Sequence, residues 1–366
     1  MARPVTVKDV AEHADVSIAT VSRVLNNHSS INEEMRQRVL KVASELGYTK
    51  SAKDGQLRAA KEGNPLRPAE RALKEIAFLL TYSEEFDDEA TIDTFWAHIL
   101  HGVATEARNA RISVTYLGIG GFSQSPQQLL TKLNKLHVGG ILLVGGADLV
   151  TVQSIQSTYI PFVLVDNYIH IPGQQPDAVL SDNYEGTREA INYLISVGHR
   201  QIAYIGGYTT FSPQPPNKIY TIERRKEGYC AALMDAGLPV DPALMEACNI
   251  THPDGGYAAC KRLIASGEPF SAVFCANDPT AIGAMKALRD AGLRIPEDVS
   301  VVGFDDIDMA EHLTPALTTV RVYKEAMGAT AVKTLIARVA EPQAVNVTTI
   351  LGVELVKRES VCPRSM

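Results

Sequence analysis

The chain is poor in the features that mark secreted and membrane proteins. Its 366 residues hold five cysteines, scattered and without a C-x-x-C pair. An odd, scattered set of this kind indicates free thiols in a reducing compartment, used mostly as core filler. The first residues, MARPVTVKDV, lack the apolar segment of a signal peptide, and no run of about 18 apolar residues could span a membrane. We therefore expect a cytoplasmic protein with no membrane partner.

Signatures of common enzymes and metal sites are missing as well. The sequence contains no G-x-G-x-x-G, no P-loop, no G-x-S-x-G and no H-E-x-x-H. His98 and His101 form H-x-x-H, but the sequence shows no evident carboxylate or cysteine partner for them. We expect no catalytic residue, no metal and no cofactor.

The charge is unevenly spread along the chain. Residues 1–75 carry 13 Lys and Arg against 10 Asp and Glu, whereas the remainder carries 22 against 32. The overall net charge of −7 argues against a chain that coats nucleic acid along its whole surface. A basic head on an acidic body still allows the head to approach DNA.

The N-terminal pattern predicts three short helices over residues 5–46. Thr6 is placed to cap the first helix, with Asp9 completing a capping box, and Ser17 to cap the second. Asn32 is placed to cap the third. Two helices joined by a tight turn, the second beginning with small and hydroxyl residues, are typical of a DNA-binding helix-turn-helix. A small helical bundle for protein contacts remains the alternative.

The second helix suits the major groove chemically. Hydroxyls and amides are short hydrogen-bonding groups for phosphate oxygens, and they occur at Ser17, Thr20, Ser22 and Asn26. Arg23 can reach a guanine edge. Ile18 and Ala19 lack hydrogen-bonding side chains and can only contact or exclude a thymine methyl.

The rest of the chain divides into a linker and an α/β body. Residues 48–74 are charged and rich in Gly and Pro, which indicates a hinge and linker with one marginal helix. From residue 75, short apolar runs such as EIAFLL, GILLVG and SAVFCA alternate with helical patterns. This alternation predicts parallel sheets with helices on both faces, and nearly 300 residues are too many for one such core. We predict a helix-turn-helix head at 1–47, a hinge at 48–74, and a two-lobed core at 75–366 whose ligand cleft lies at the carboxyl ends of strands.

Motifs from end to end resemble the lactose/galactose repressor family. The head carries TVKDVAEHADVSIATVSRVLNN, and the body carries LVDN, SDNYEG, ERRKEGYCAAL, AVFCANDPTAIGAMKAL and IPEDVSVVGFDD. The resemblance runs from about residue 5 to about residue 358. It implies a DNA-binding head, a hinge, and a core like periplasmic sugar-binding proteins that forms a homodimer and binds a small effector.

The resemblance assigns DNA contacts residue by residue. It gives base reading to Ile18, Ala19 and Arg23, and backbone contacts to Thr6, Ser17, Thr20, Ser22, Asn26, Asn32 and Tyr48. Leu57 matches the leucine that wedges into the minor groove, although the hinge departs from the family pattern and contains Gly55. Asp15 stands where the family has glycine in the turn, so a left-handed backbone is expected there.

The resemblance also places an effector site in the cleft. By motif the polar candidates are Asp166, Arg225, Asn277 and Asp305, with weaker wall candidates at Thr81, Phe95, Trp96, Tyr168, Phe211, Thr251 and Tyr323. The acidic neighbours Asp278 and Asp306 are expected to cap helices, as is the pair Asp182-Asn183.

Together these features predict a transcriptional repressor, not an enzyme. Its partners are a pseudo-palindromic double-stranded operator and a carbohydrate effector, with a purine or nucleoside corepressor as the alternative. An exported solute-binding protein would need a signal peptide and no head, and a sugar kinase or hydrolase would need a phosphate loop or nucleophile; the sequence argues against both.

Overall fold

The structure is a computed structural model, and the chain divides into two compact units, Met1–Arg71 and Ala72–Met366. The described residues are 6–25, 35, 38, 39, 42, 73–81, 94–119, 126–135, 138–173, 175–208, 219–250 and 252–364. The predicted boundaries at 47/48 and 74/75 stay predictions; the first falls among residues 43–72, which lie outside this set.

The head unit contains the two predicted helices, α1 (Val7–His13) and α2 (Ile18–Leu25). The capping box is confirmed: the Thr6 hydroxyl accepts from the Asp9 amide at 3.4 Å, and the Asp9 carboxylate accepts from the Thr6 amide at 2.7 Å. The turn between the helices has Asp15 at φ 50°, the expected left-handed conformation. Apolar residues at helical spacing bury a small core of Val10, Ala11, Ala14, Val21, Val24 and Val39.

The body unit has two parallel sheets, each within one lobe. The first, in the N-lobe, has the order β11-β5-β4-β3-β1-β2, and the second, in the C-lobe, has the order β7-β6-β8-β9. The strands of the first sheet are β1 (Glu75–Leu80), β2 (Ser113–Gly118), β3 (Gly140–Val144), β4 (Phe162–Val165), β5 (Asp177–Ser181) and β11 (Thr348–Leu351). Those of the second are β6 (Ile202–Tyr208), β7 (Met245–Asn249), β8 (Ala272–Cys275) and β9 (Ser300–Val302). A separate antiparallel pair joins β10 (Thr319–Arg321) to β12 (Glu354–Val356).

Helices cover the sheets in both lobes. The N-lobe contains α3 (Thr94–Asn109), α4 (Pro126–Lys135), α5 (Leu149–Gln156) and α10 (Lys324–Ala340). The C-lobe contains α6 (Asn183–Ser196), α7 (Tyr220–Asp235), α8 (Pro253–Ser266) and α9 (Asp278–Asp290). None of the described helices is long and apolar enough to cross a membrane.

Alternating side chains explain why both faces of the N-lobe sheet are covered. Ile76, Phe78 and Leu80 pack on one side with residues of α3 and α10, whereas Ala77 and Leu79 pack on the other with residues of α4 and α5. A strand sends successive side chains to opposite faces, so a continuous apolar run needs helices on both. The predicted two-lobed α/β fold is thereby confirmed.

The chain passes between the lobes three times. It leaves the N-lobe after β5, returns between β10 and α10, and crosses again between β11 and β12. The cysteines sit as predicted: all five are free, and Cys248, Cys260 and Cys275 are buried in the C-lobe core.

Two glycines allow α3 and α10 to approach closely. A Cβ on Gly102 would lie 2.1 Å from the Glu325 carbonyl oxygen, and one on Gly328 would lie 2.2 Å from the Ile99 carbonyl oxygen. Both atoms belong to backbone that a small side-chain movement cannot displace.

Gly102→Ala is therefore expected to lower the free energy of unfolding of the core by about 1–3 kcal/mol, because the helices must move apart. Urea unfolding followed by circular dichroism measures this change. The matched control is Gly352→Ala, where an added Cβ meets nothing within 4 Å and the effect should stay below about 0.5 kcal/mol. Equal stability of both variants would contradict the close packing of α3 on α10.

Candidate effector site and DNA-binding head

Three of the predicted effector residues come together at the carboxyl ends of strands. Asp166 follows β4 of the N-lobe, Asp305 follows β9 of the C-lobe, and Arg225 projects from α7. One terminal nitrogen of Arg225 donates to Oδ1 of Asp305 at 2.9 Å. Asp166 lies close enough for its charge to interact with both partners. This is the position at which open α/β sheets bind ligands.

The Arg225 guanidinium is fixed on every side. Its Nε donates to Oδ1 of Asn183 at 2.7 Å, another nitrogen donates to the Ala276 carbonyl, and its Cζ atom lies 3.8 Å from the Phe304 ring centroid. Only 2% of the residue is exposed, so the charge is almost fully withdrawn from water. A buried charge held by hydrogen bonds and a carboxylate is a rigid recognition group.

Asp166 is buried with part of its hydrogen-bonding capacity unused. Its Oδ1 atom has no hydrogen-bond partner among the described residues, and its backbone is left-handed at φ 55°. Burial raises the pKa of Asp166 to about 7; the charge of Asp305 adds to this rise, and the charge of Arg225 opposes it. An unfilled acceptor in a strained, buried position marks a place for an incoming donor.

Asp278 is a second carboxyl with a shifted pKa, and the charge of Asp305 acts on it. It is fully buried and accepts from the Thr319 hydroxyl at 2.6 Å and the Ile307 amide at 2.9 Å. Burial raises its pKa to about 8, with the charge of Asp305 as the next cause. Its buried position disfavours the ionised form of this carboxyl.

The helix-capping predictions are corrected in part. Asp182 caps α6 as expected, but its neighbour Asn183 instead receives the Arg225 bond. Asp278 does not cap α9; Asn277 does, by accepting from the Thr280 amide at 3.0 Å. Asp306 does not cap a helix either, because its carboxylate forms ion pairs with Arg321 and Arg358.

Other predicted wall residues are placed less uniformly. Thr81 is buried after β1 and donates to the Val144 carbonyl, and Trp96 and Thr81 both lie against the position of Gly145. Phe95 meets the Trp96 ring edge-on at 4.8 Å. Tyr323 is 45% exposed, and its hydroxyl contacts a Glu354 oxygen at 3.0 Å. The Asn277 side chain also donates to the Ile250 carbonyl, so its cap and this bond use both ends of the amide.

Two residues near the site, Tyr220 and Lys324, were not predicted from the sequence, whereas Tyr168 was a predicted wall residue. Tyr168, from the N-lobe segment after β4, and Tyr220, the first residue of α7, bring their ring centroids to 5.0 Å across the lobes. Lys324 is buried and donates from Nζ to the carbonyl oxygens of Asp305 at 2.6 Å and Asp306 at 2.9 Å. No motif announces either contact, because each joins residues far apart in the chain. Phe211 and Thr251 lie outside the described residues.

In the head, the start of α2 is exposed as DNA binding requires. Ile18 is 50% exposed, and Ala19 is also exposed. The Ser17 hydroxyl accepts from the Thr20 amide at 3.0 Å, which confirms Ser17 as the cap of α2. The backbone of Ser22 and Arg23 is helical, whereas Asn26, Asn32, Tyr48 and Leu57 lie outside the described residues.

No cluster of three or more His, Cys, Asp or Glu side chains in the described part of the chain could hold a metal ion. His98 corrects a sequence expectation, because it does have carboxylate partners: Nδ1 lies 2.6 Å from Glu325, and Nε2 lies 3.2 Å from Asp308.

Comparison with known proteins agrees with this architecture. The family model described as "Bacterial regulatory proteins, lacI family" matches residues 6–51, and the "Periplasmic binding protein-like domain" model matches residues 191–361. The ribose operon repressor of Haemophilus influenzae is 31% identical over 97% of this chain and 98% of its own length. The PurR repressor of Pasteurella multocida is 31% identical over 98% of this chain and 99% of its own. The solved complex of the regulator CelR with cellobiose is 30% identical, covers 98% of this chain and 100% of its own, and superposes with a TM-score of 0.72. The chain therefore belongs to the LacI family of bacterial transcriptional regulators.

Proposed function

We propose that this regulator binds a carbohydrate between its two lobes and that the bound sugar controls how a homodimer grips its operator. The observation that carries the proposal is the unfilled, buried Oδ1 of Asp166 beside the Arg225–Asp305 pair. A sugar presents several hydroxyls, each able to donate and accept. One hydroxyl can donate to Asp166, while others meet the guanidinium and the second carboxylate.

The aromatic residues support a sugar ring as the occupant. Phe95 and Trp96 lie at the start of α3, and the Tyr168–Tyr220 pair spans the lobes. Aromatic faces pack against the C–H faces of a sugar, while polar groups fix its orientation. Relatives point the same way, since one is named a ribose operon repressor and another was solved with cellobiose.

A purine is the second candidate. The relative from Pasteurella multocida is named PurR, and a tyrosine pair such as Tyr168–Tyr220 can also stack on a planar base. Under this alternative the bound molecule acts as a corepressor that strengthens operator binding, whereas a sugar is proposed to weaken it.

The head supports binding to DNA in pairs. Ile18 and Ala19 present small and apolar surface at the exposed start of α2, where a major groove admits no bulky acid. One head of about 40 residues has too little surface for tight sequence-specific binding, so two heads of a homodimer read the two halves of a pseudo-palindrome. We assign base contacts to Arg23 and backbone contacts to Ser17, Thr20 and Ser22.

The three chain crossings between the lobes can couple effector binding in the cleft to DNA binding by the heads. A ligand bound by Asp166 on one lobe and by Arg225 and Asp305 on the other favours one arrangement of the lobes over another. A change in lobe arrangement alters the spacing at which a dimer presents its two hinges. By linkage, operator DNA must then change effector affinity by the same factor.

A ligand panel tests the proposal. Ribose, cellobiose, adenine and guanine are added to the full chain, and thermal unfolding is recorded; a true effector at about 100 times its Kd should raise Tm by roughly 5–10 °C. The compound that binds is then tested for release of a palindromic operator fragment in a gel shift. Asp166→Asn should weaken that compound by roughly 10–100-fold, because a bond to a charged acceptor is lost.

The pH dependence of effector affinity gives a second test of the role of Asp166. Asp166 accepts a ligand hydroxyl best when ionised, so affinity should rise as pH increases through about 7, and this rise should disappear in Asp166→Asn. The control is Asp148→Asn, since Asp148 caps α5 in the same lobe and asparagine caps equally well. A purine that alone binds, and strengthens the operator complex, would replace the carbohydrate proposal; binding by no compound, or full affinity in Asp166→Asn, would reject the site.

A further inference from the structure

One histidine is held between two carboxylates from different parts of the body. His98 lies on α3 of the N-lobe, and its Nδ1 is 2.6 Å from Oε1 of Glu325 in the first turn of α10. Its Nε2 is 3.2 Å from both carboxylate oxygens of Asp308, which follows β9 of the C-lobe. The imidazole therefore bridges the two lobes.

The geometry requires both ring nitrogens of His98 to donate. An ionised carboxylate only accepts hydrogen bonds, and a neutral imidazole has a single N–H. Only the imidazolium can satisfy Asp308 and Glu325 together. In agreement, the pKa of His98 is raised, mainly by the bond to Asp308; burial, the next-largest effect, lowers it, and the bond to Glu325 and the charges of both carboxylates raise it further.

The charged surroundings of His98 are acidic on the facing elements. Asp308 faces it from the C-lobe turn and Glu325 from α10, and these are the groups whose charge acts on it. The next described titratable groups on the same elements are His101 on α3, the His312–Glu311 pair in the turn, and Lys324 on α10. The Lys324 ammonium is directed at backbone carbonyls.

The His98 bridge contacts the segment that carries Asp305, a proposed effector ligand. Residues 305–308 leave β9 with two left-handed positions, Asp305 at φ 109° and Asp306 at φ 48°. Backbone of this kind persists only where its surroundings hold it. Lys324 holds the beginning of the segment through the carbonyls of residues 305 and 306, and the His98–Glu325 pair holds its end at Asp308.

We propose that His98 is a positioning residue of the effector site, which as the imidazolium fastens segment 305–308 to the N-lobe and keeps the Asp305 carboxylate in place. Loss of one proton from His98 to solvent breaks one of its two carboxylate bonds and loosens the segment. Effector affinity, and through it operator control, then falls as pH rises above the ordinary titration range of histidine, because the pKa of His98 is raised. This inference rests on the proposed function, because it takes Asp305 as an effector ligand.

The test compares effector affinity in variants across pH. Isothermal titration of the full chain uses the member of the ribose, cellobiose, adenine and guanine panel that binds best, between about pH 6 and about pH 9. Wild type should bind roughly two- to five-fold more tightly than His98→Gln at the acid end, because a half-exposed ion pair is lost. This ratio should fall to one as pH rises and His98 loses its proton. Titration of Asp166 is common to both proteins and cancels in the ratio.

Two further variants sharpen the comparison. His101→Gln removes a neighbouring exposed histidine of the same helix and should match wild type at every pH. Asp308→Asn keeps the size of the side chain but removes its charge, so it should lose the same pH-dependent component as His98→Gln. Combining the two substitutions should add nothing to that component.

A second readout needs no effector. Trp96 is the only tryptophan and lies two residues before His98, so its fluorescence reports on this part of α3. Wild type and His101→Gln should show a fluorescence transition in the same pH range that His98→Gln lacks. A pH-independent affinity ratio with intact binding, or an unchanged transition in His98→Gln, overturns the inference alone. Failure of every panel compound to bind overturns the proposed function, and with it this role of His98.

Discussion

Arg225→Ala should abolish effector control and strongly destabilise the core. The substitution removes the Arg225 donor to the buried Asp305 carboxylate and to Oδ1 of Asn183. Breaking a buried ion pair from one side costs about 3–5 kcal/mol. Effector affinity should also fall by roughly 100-fold or more, since the guanidinium is a charged donor. Thermal unfolding and isothermal titration on the full chain measure the two effects.

Arg224 is the natural control for this prediction. It is the preceding residue of α7 but is more exposed, and it pairs with Glu227 on the helix surface. Arg224→Ala should change stability by less than about 1 kcal/mol and leave effector affinity nearly intact. If Arg225→Ala unfolds, Asp305→Asn provides the milder variant, because it keeps an acceptor for Arg225 and removes only the charge. Normal effector binding by both Arg225→Ala and Asp305→Asn would show that the effector binds elsewhere.

Val10→Asp should eliminate operator binding while sparing effector binding. Val10 is fully buried in the head, and an unpaired charge there costs several kcal/mol. A unit of this size has little stability to lose. Gel shift should show no complex even at low salt, where phosphate contacts are strongest. Because head and body are separate compact units, effector affinity should stay within about two-fold of wild type.

Ile18→Asp separates head folding from DNA contact. Ile18 is half exposed at the start of α2, so the head should stay folded and resist proteolysis. Operator binding should still be lost, because the carboxylate would approach DNA phosphates. Operator binding by Val10→Asp would contradict the packing of the head, and operator binding by Ile18→Asp would contradict the proposed position of α2 in the groove.

The apolar strands of the body could be predicted because their signal is local. The runs that became β1, β3 and β8 are continuous and buried, as parallel sheets covered on both faces require. β5 was not predicted, since DAVLS begins with an acid, ends in serine and leaves an apolar run of only three residues. The structure explains that acid: Asp177 is buried and bonded to Arg338 and to the Val347 amide, which lie 161 and 170 residues later. β11 was also not predicted, because it is a partly exposed edge strand and lacks a continuous apolar run.

The candidate effector site could be predicted only where motif and geometry agree. Asp166, Arg225 and Asp305 come together as expected, whereas the assignment of helix caps at 277–278 was displaced by one residue. Lys324 and His98 could not be found from local sequence, because their partners lie on other parts of the fold: residues 305, 306 and 308 follow β9, and Glu325 lies at the start of α10. Pairing of charged groups that are far apart in the chain produces no periodic pattern in the sequence.

The late return of the chain to its first lobe also shapes how the protein is made. β11 completes the N-lobe sheet beside β5, although more than 160 residues separate the two strands. At translation rates of about 5–20 residues per second, β11 is synthesised roughly 10–30 s after β5. During that interval the nascent lobe exposes an unpaired strand edge, which can pair wrongly with another chain. The small head is complete much earlier, so a stalled ribosome would display a folded DNA-binding unit before any sensor exists to restrain it.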